Sequence, residues 1–230
     1  MNGRKIGYIL GLMMLLGLGT GSAQVAQQVQ KWDSTYRPGD YMLHFQEFES
    51  FPNASTDIVF LGNSITARGN WSELLGRNDV RNRGISGDIT FGVLERLSEV
   101  TEGHPAKIFI LIGINDISRN IPDTVILGNY YKIVHRIKQE SPETKIYFQT
   151  LLPVNKDFNK FKNHYGKDAH ILWLNEQIKI MGQKEKIQVI DLYPHFLDKD
   201  KKLISDFTVD GLHINIKGYH VWRKVLQPYL

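Results

Sequence analysis

The feature that most constrains this chain is an alternation of two kinds of segment. Short apolar runs recur: "DIVFLG" at 57–62, "KIFILIG" at 107–113, "KIYFQTL" at 145–151 and "KIQVID" at 186–191, with "DVRNRG" at 79–84 a weaker fifth. Continuous runs of this length, rich in Ile and Val, suit strands covered on both faces. The segments between them have helical spacing. "ITFGVLERLSEV" at 89–100 puts Phe91, Leu94, Leu97 and Val100 on one side. "DTVILGNYYKIVHRIKQE" at 123–140, "AHILWLNEQIKIMGQ" at 169–183 and "NIKGYHVWRKVLQPYL" at 215–230 continue the pattern. Before the first strand, "DYMLHFQEFESF" at 40–51 spaces Met42, Phe45, Phe48 and Phe51 as a helix would. Strand and helix alternate, so the expected class is α/β with a mainly parallel sheet.

The chain's 230 residues suffice for one domain with a sizeable core. No internal repeat, low-complexity tract or interior linker divides it. The first 23 residues read as a signal peptide: Arg4-Lys5, then the apolar "IGYILGLMMLLGLG", then "GSA" before Gln24. The apolar run is shorter than the roughly 20 residues of a membrane-spanning helix. The expected product is therefore exported, periplasmic or secreted, and not inserted in a membrane after cleavage; an uncleaved anchor is the alternative reading of the same segment. Residues 24–56 form a polar lead-in and a helix, and 57–230 the main domain. Removing Arg4 and Lys5 takes 28 basic residues to 26 against 24 acidic ones, a balance of +2. That is too little for a nucleic-acid binder on charge alone. There is no cysteine, which excludes disulfides, lipidation at cysteine and thiol chemistry.

Ligands of parallel sheets bind beyond the carboxyl ends of the strands, so residues just after the apolar runs are the candidates for chemistry. Ser64 follows the first run in "FLGNSIT", Gly87 follows the second in "GISGD", and Asn115 follows the third in "GIND". Asp210 and His213 lie in "DGLH", after the fifth run and a long loop. Alone, each has a plain structural use as a turn or helix-cap residue. Together they complete one reaction. Acyl transfer by Ser64 needs a base, which His213 supplies, and a carboxylate to orient that base, which Asp210 supplies. The tetrahedral oxyanion needs convergent donors. The backbone N–H groups of Ser64 and Gly87 and the side-chain amide of Asn115 can provide them. Such a base implies an acid limb near the ordinary histidine value, roughly 6–7. Rival motifs are missing: there is no G-x-S-x-G elbow, phosphate loop, H-E-x-x-H or G-x-G-x-x-G.

These residues carry a resemblance. Ser64 in "FLGNSIT", Gly87 in "GISGD", Asn115 in "GIND" and Asp210 with His213 in "DGLH" match, in order, the four blocks of the SGNH hydrolases, or GDSL-type esterases. The likeness runs from about residue 57 to the C-terminus. It implies a three-layer α/β/α sandwich with a five-stranded parallel sheet in flavodoxin-like order 2-1-3-4-5, and no metal or organic cofactor. Asn63 stands where the family name has Asp, and it is not one of the four catalytic positions. "NRGISGD" and "DGLHIN" look most like the branch with platelet-activating-factor acetylhydrolase-type enzymes and sialate or carbohydrate O-acetylesterases. That branch implies short acyl esters, acetyl groups on sugars above all, as substrates. The alternatives are a thioesterase or lysophospholipase with the same triad, and a non-catalytic glycan-binding module. "PVNKDFNKFKNHYGKDA" at 153–169, polar and basic with Phe158, Phe161 and Tyr165 among lysines, reads equally as a sugar-facing loop or as solvated surface. The oligomeric state stays open.

Overall fold

The computed structural model describes residues 32–230; the signal-peptide reading and the lead-in up to residue 31 lie outside them. The elements run α1 (Tyr41–Ser50), β1 (Ile58–Gly62), α2 (Ser64–Ala67), α3 (Trp71–Leu75), β2 (Val80–Gly84), α4 (Thr90–Glu95), α5 (Leu97–Glu102), β3 (Lys107–Leu111), α6 (Ile114–Ser118), α7 (Asp123–Glu140), β4 (Lys145–Gln149), α8 (Asp168–Glu185), β5 (Gln188–Ile190) and α9 (Ile216–Leu226). The five strands form one sheet in the order β2-β1-β3-β4-β5, all pairs parallel. The α/β class and the strand order are as expected.

Strand alternation builds the layers. Phe60, Phe109 and Tyr147 are register partners on one face and stack on one another at 5.0 and 4.5 Å between centroids. Trp71 of α3 lies on Phe60 at 4.0 Å, and Trp222 of α9 meets Trp71 edge-on at 4.7 Å. On the other face Phe148 meets Tyr130 of α7, which packs with α4, α5 and α8. Both faces are therefore dry, which is why β1 and β3 read as unbroken apolar runs.

β2 read weakly because it is an edge strand whose polar side chains have work to do. Asn82 Nδ2 donates to the carbonyls of Thr66, Ala67 and Gly69, closing the end of α2. Arg83 pairs with the buried Glu99.

Two expectations need correction. α1 is the helix that the spacing predicts, but its apolar residues do not share one buried face: Phe48 goes inward with Tyr41, which lies outside the spacing, whereas Met42 and Phe51 are 52% and 42% exposed. Tyr41 Oη donates to the Gly92 carbonyl, and Phe48 lies under the guanidinium of Arg83, so polar anchors set the helix's rotation. The segment 89–100 is two helices, broken at Arg96. That side chain turns inward, fully buried, to Asp88 and to the carbonyls of Gly62 and Arg83.

Candidate active site

The strand order places a switch point between β1 and β3, because the chain leaves β1 for β2 on one side and returns to β3 on the other. Ser64 and Asn115 follow the two strands that flank it. β1 ends on Gly62 because a Cβ there would collide with the Leu111 carbonyl and the Thr66 hydroxyl. Asn63 caps α2, its Oδ1 accepting from the Ile65 N–H at 3.0 Å, so Ser64 becomes the first residue of a tight turn. Tyr219 Oη donates to the Ile65 carbonyl and Trp71 Nε1 to that of Thr66, fixing this turn from α9 and α3.

The loop after β5 folds back on itself. Thr208 Oγ1 donates to the His213 carbonyl at 2.7 Å and accepts from the Gly211 N–H at 2.9 Å. Asp210 Oδ1 accepts from the N–H groups of Leu212 and His213 at 3.1 and 2.8 Å. Its Oδ2 lies 2.8 Å from His213 Nδ1, and His213 Nε2 lies 2.9 Å from Ser64 Oγ. A carboxylate opposite Nδ1 places the imidazole proton there, which leaves Nε2 to accept from the Ser64 hydroxyl.

All three side chains are buried. Burial works against the charge on Asp210, but the hydrogen bonds from His213 outweigh it and hold the carboxyl below its ordinary value. Burial pulls His213 down; the Asp210 carboxylate opposes this, and Arg68, 3.7 Å from that carboxylate, adds to it. The net value is below the ordinary 6.5, lower than the residue type alone suggested.

Asn115 sits in the first turn of α6, 8% exposed. Its Nδ2 donates to the Asp88 carbonyl at 2.9 Å, which brings it to the turn that holds Gly87. Gly87 has φ +81°, and a Cβ there would press on Pro38 at 3.3 Å. Gly87 and Asn115 line a cleft of about 660 Å³ with Trp32, Arg119, Phe161 and His164. The sequence alone brings these residues only to one sheet edge; the structure pairs Ser64 with His213 and Asn115 with the Gly87–Asp88 turn.

Several supporting residues escaped the sequence reading. The lead-in is not loose from Trp32 onward: Trp32 stacks on Phe91, Arg37 pairs with Glu95, and Arg119 lies over the Tyr36 ring. Phe161 is not simply surface, since its ring meets His213 edge-on at 5.1 Å. Thr208 and Asn63 act through local backbone bonds, and their only signal was proximity to the motifs. Beneath the site lie a buried Asp88–Arg96 pair and Asp116, which accepts from the N–H and hydroxyl of Thr90. Burial raises Asp88 to about 6 and Asp116 to about 7. Among the described residues, no three His, Cys, Asp or Glu side chains are grouped as metal ligands.

A parallel sheet with a Ser-His-Asp chain at its switch point defines a class of acyl-transferring hydrolases, and comparison with known proteins names it. Residues 60–221 match the GDSL-like lipase/acylhydrolase family, and the chain belongs to that family. It is a carboxylic ester hydrolase acting on small-molecule esters. The alpha2 subunit of human platelet-activating factor acetylhydrolase IB is 27% identical over 179 residues, covering 75% of this chain and 73% of its own. A lipase/acylhydrolase from Enterococcus faecalis is 25% identical with a TM-score of 0.64, over 76% of this chain and 94% of its own. A GDSL-like lipase from Bacteroides thetaiotaomicron, 24% identical, shares the fold with a TM-score of 0.72 over 83% of this chain and 96% of its own.

Proposed function

We propose that this protein is an exported serine esterase that removes short acyl groups, acetyl above all, from carbohydrates. The observation that carries the mechanism is the hydrogen-bonded chain from Asp210 through His213 to Ser64. Ser64 Oγ attacks the ester carbonyl while His213 Nε2 takes its proton. The oxyanion is held by the backbone N–H groups of Ser64 and Gly87 and the remaining N–H of the Asn115 amide. His213 then protonates the leaving alcohol, and a water activated by the same imidazole releases the acid. Asp210 keeps its negative charge throughout and stabilises the imidazolium.

The polar walls of the cleft favour a hydrophilic alcohol. Arg119, Lys160, Lys162 and Asn120 line it, with Trp32 and Phe161 as flat apolar surfaces of the kind sugar rings stack on. The similarity to an acetylhydrolase subunit favours a short acyl group. Export rests on the first 23 residues alone.

A second reading, a long-chain thioesterase or lysophospholipase, draws on a more apolar depression beside Asp210. It has a volume of about 580 Å³ and is lined by Leu74, Val209, Ile214, Ile216 and Tyr219. A panel of p-nitrophenyl esters from acetyl to palmitoyl, followed by acetylated sugars, separates the two. Highest kcat/KM at acetyl, with acetate released from a sugar, supports the first; highest kcat/KM on long chains overturns it in favour of the second.

A further inference from the structure

His164 takes no part in the acid–base steps just described, yet it is the side chain that meets the far end of Asn115. Its Nε2 lies 3.2 Å from Asn115 Oδ1. The orientation of the amide is fixed independently. Its other end faces the Asp88 carbonyl, a pure acceptor, at 2.9 Å, so the Nδ2 end must be there and Oδ1 must face His164. An oxygen opposite Nε2 requires the proton on Nε2. Nδ1 then keeps a bare lone pair, and that atom is buried with no hydrogen-bond partner. Such an arrangement is stable only for the neutral ring, because a second proton would be buried without an acceptor. Burial accordingly drives His164 down to about 4, with His213 and Arg119 adding to the effect.

The ring is held in place. His164 ends a single turn of 3-10 helix at Lys162–His164, and its N–H donates to the Phe161 carbonyl at 2.9 Å. Phe161 stands edge-on to His164 at 5.8 Å and edge-on to His213 at 5.1 Å, so one aromatic ring packs against both imidazoles.

We infer that His164 is a positioning residue for the oxyanion donor: by donating from Nε2 to Asn115 Oδ1, it locks the amide with its free N–H toward the cleft. Two physical consequences follow. The Asn115 side chain enters the reaction without rotamer freedom to lose. A hydrogen bond accepted at Oδ1 also polarises the amide, strengthening donation from Nδ2 as charge develops on the substrate oxygen. The neutral ring does this without placing a second cation beside His213, where it would oppose protonation of the catalytic base.

The inference rests on the esterase reading and is tested by a double-mutant cycle on p-nitrophenyl acetate with H164L, H164Q, N115A and the N115A/H164L pair, with melting curves on each. H164L should lower kcat about tenfold, the worth of one buried hydrogen bond, with KM within about twofold. H164Q, which keeps a donor, should recover most of the loss. In the N115A background, H164L should cost less than about twofold, because the group it positions is gone. Equal losses in both backgrounds, or an H164L enzyme as active as the parent, overturn the inference alone. A parent protein that hydrolyses no ester overturns the esterase reading and this inference with it. Nitrogen-15 spectra of the parent at pH 7 give a readout independent of folding in the variants: His164 should be the neutral Nε2–H tautomer. The Nδ1–H tautomer or a charged ring contradicts the assignment.

Discussion

A serine hydroxyl is a weak nucleophile at neutral pH, and in the mechanism we propose the two bonds of His213 are what change it at Ser64. The base must be neutral to act, and burial holds its value below the ordinary 6.5 against the pull of Asp210. The acid limb of kcat/KM should therefore have its midpoint below 6.5, and a limb at or above 7 would contradict the geometry. Arg68 contributes to that lowering, so Arg68→Gln should move the limb upward. Asn115 should act on the transition state more than on binding. Asn115→Ala should cost about 100- to 1,000-fold in kcat with KM changed less than about threefold. Asn115→Asp should be worse, since it sets a charge beside the developing oxyanion. If the residue merely capped α6, aspartate would be tolerated; the structure puts Gly113, not Asn115, at that cap, and the Asn115 amide is used on Asp88 and His164 instead.

The elements that carry these residues are tied to one another by buried charge. Arg96 reaches from the break between α4 and α5 to Asp88 and to the carbonyls of Gly62 and Arg83, at the ends of β1 and β2. Neither partner is exposed. Arg96→Met should destabilise the protein by about 3–5 kcal/mol in denaturant unfolding, because it strands a buried carboxylate. Combined with Asp88→Asn, the loss should be well short of additive. Asp116 gives a pH signature. Its folded value of about 7 lies above the ordinary carboxyl value of 3.8, through burial that the Thr90 bonds only partly offset. A group raised on folding stabilises the native state below its unfolded value and loses that contribution as pH rises through its folded value. Relative to Asp116→Asn, the parent should therefore lose stability from pH 5 to pH 7, by on the order of 1 kcal/mol per pH unit, and level off above. A constant difference across that range would show that Asp116 is charged throughout. None of this network was legible in the sequence. Arg96 and Asp88 are ordinary surface residue types, and only the tertiary fold makes them a buried pair.

At the scale of the whole molecule, the parallel sheet was legible wherever strands are dry on both faces. β1, β3 and β4 wrote their burial as continuous apolar runs, whereas β2 hid behind Arg81, Asn82 and Arg83. The long helix α7 matched its sequence bounds, because nothing interrupts its packing face. α1 did not match its face, because Tyr41 and Phe48 answer to hydrogen bonds and cations rather than to apolar periodicity. The candidate site was legible because the chemistry needs particular residue types just after particular strands. Its support was not: Thr208, Asn63, Phe161 and His164 matter through contacts that no spacing encodes. The central claim is that Ser64 is the nucleophile of a serine esterase, and the most direct test is intact-mass spectrometry after a fluorophosphonate reagent. The account predicts one adduct per chain, located at Ser64, with hydrolysis of p-nitrophenyl acetate lost in step, and neither adduct nor hydrolysis in Ser64→Ala. An adduct at another residue, or hydrolysis that survives Ser64→Ala, would contradict it.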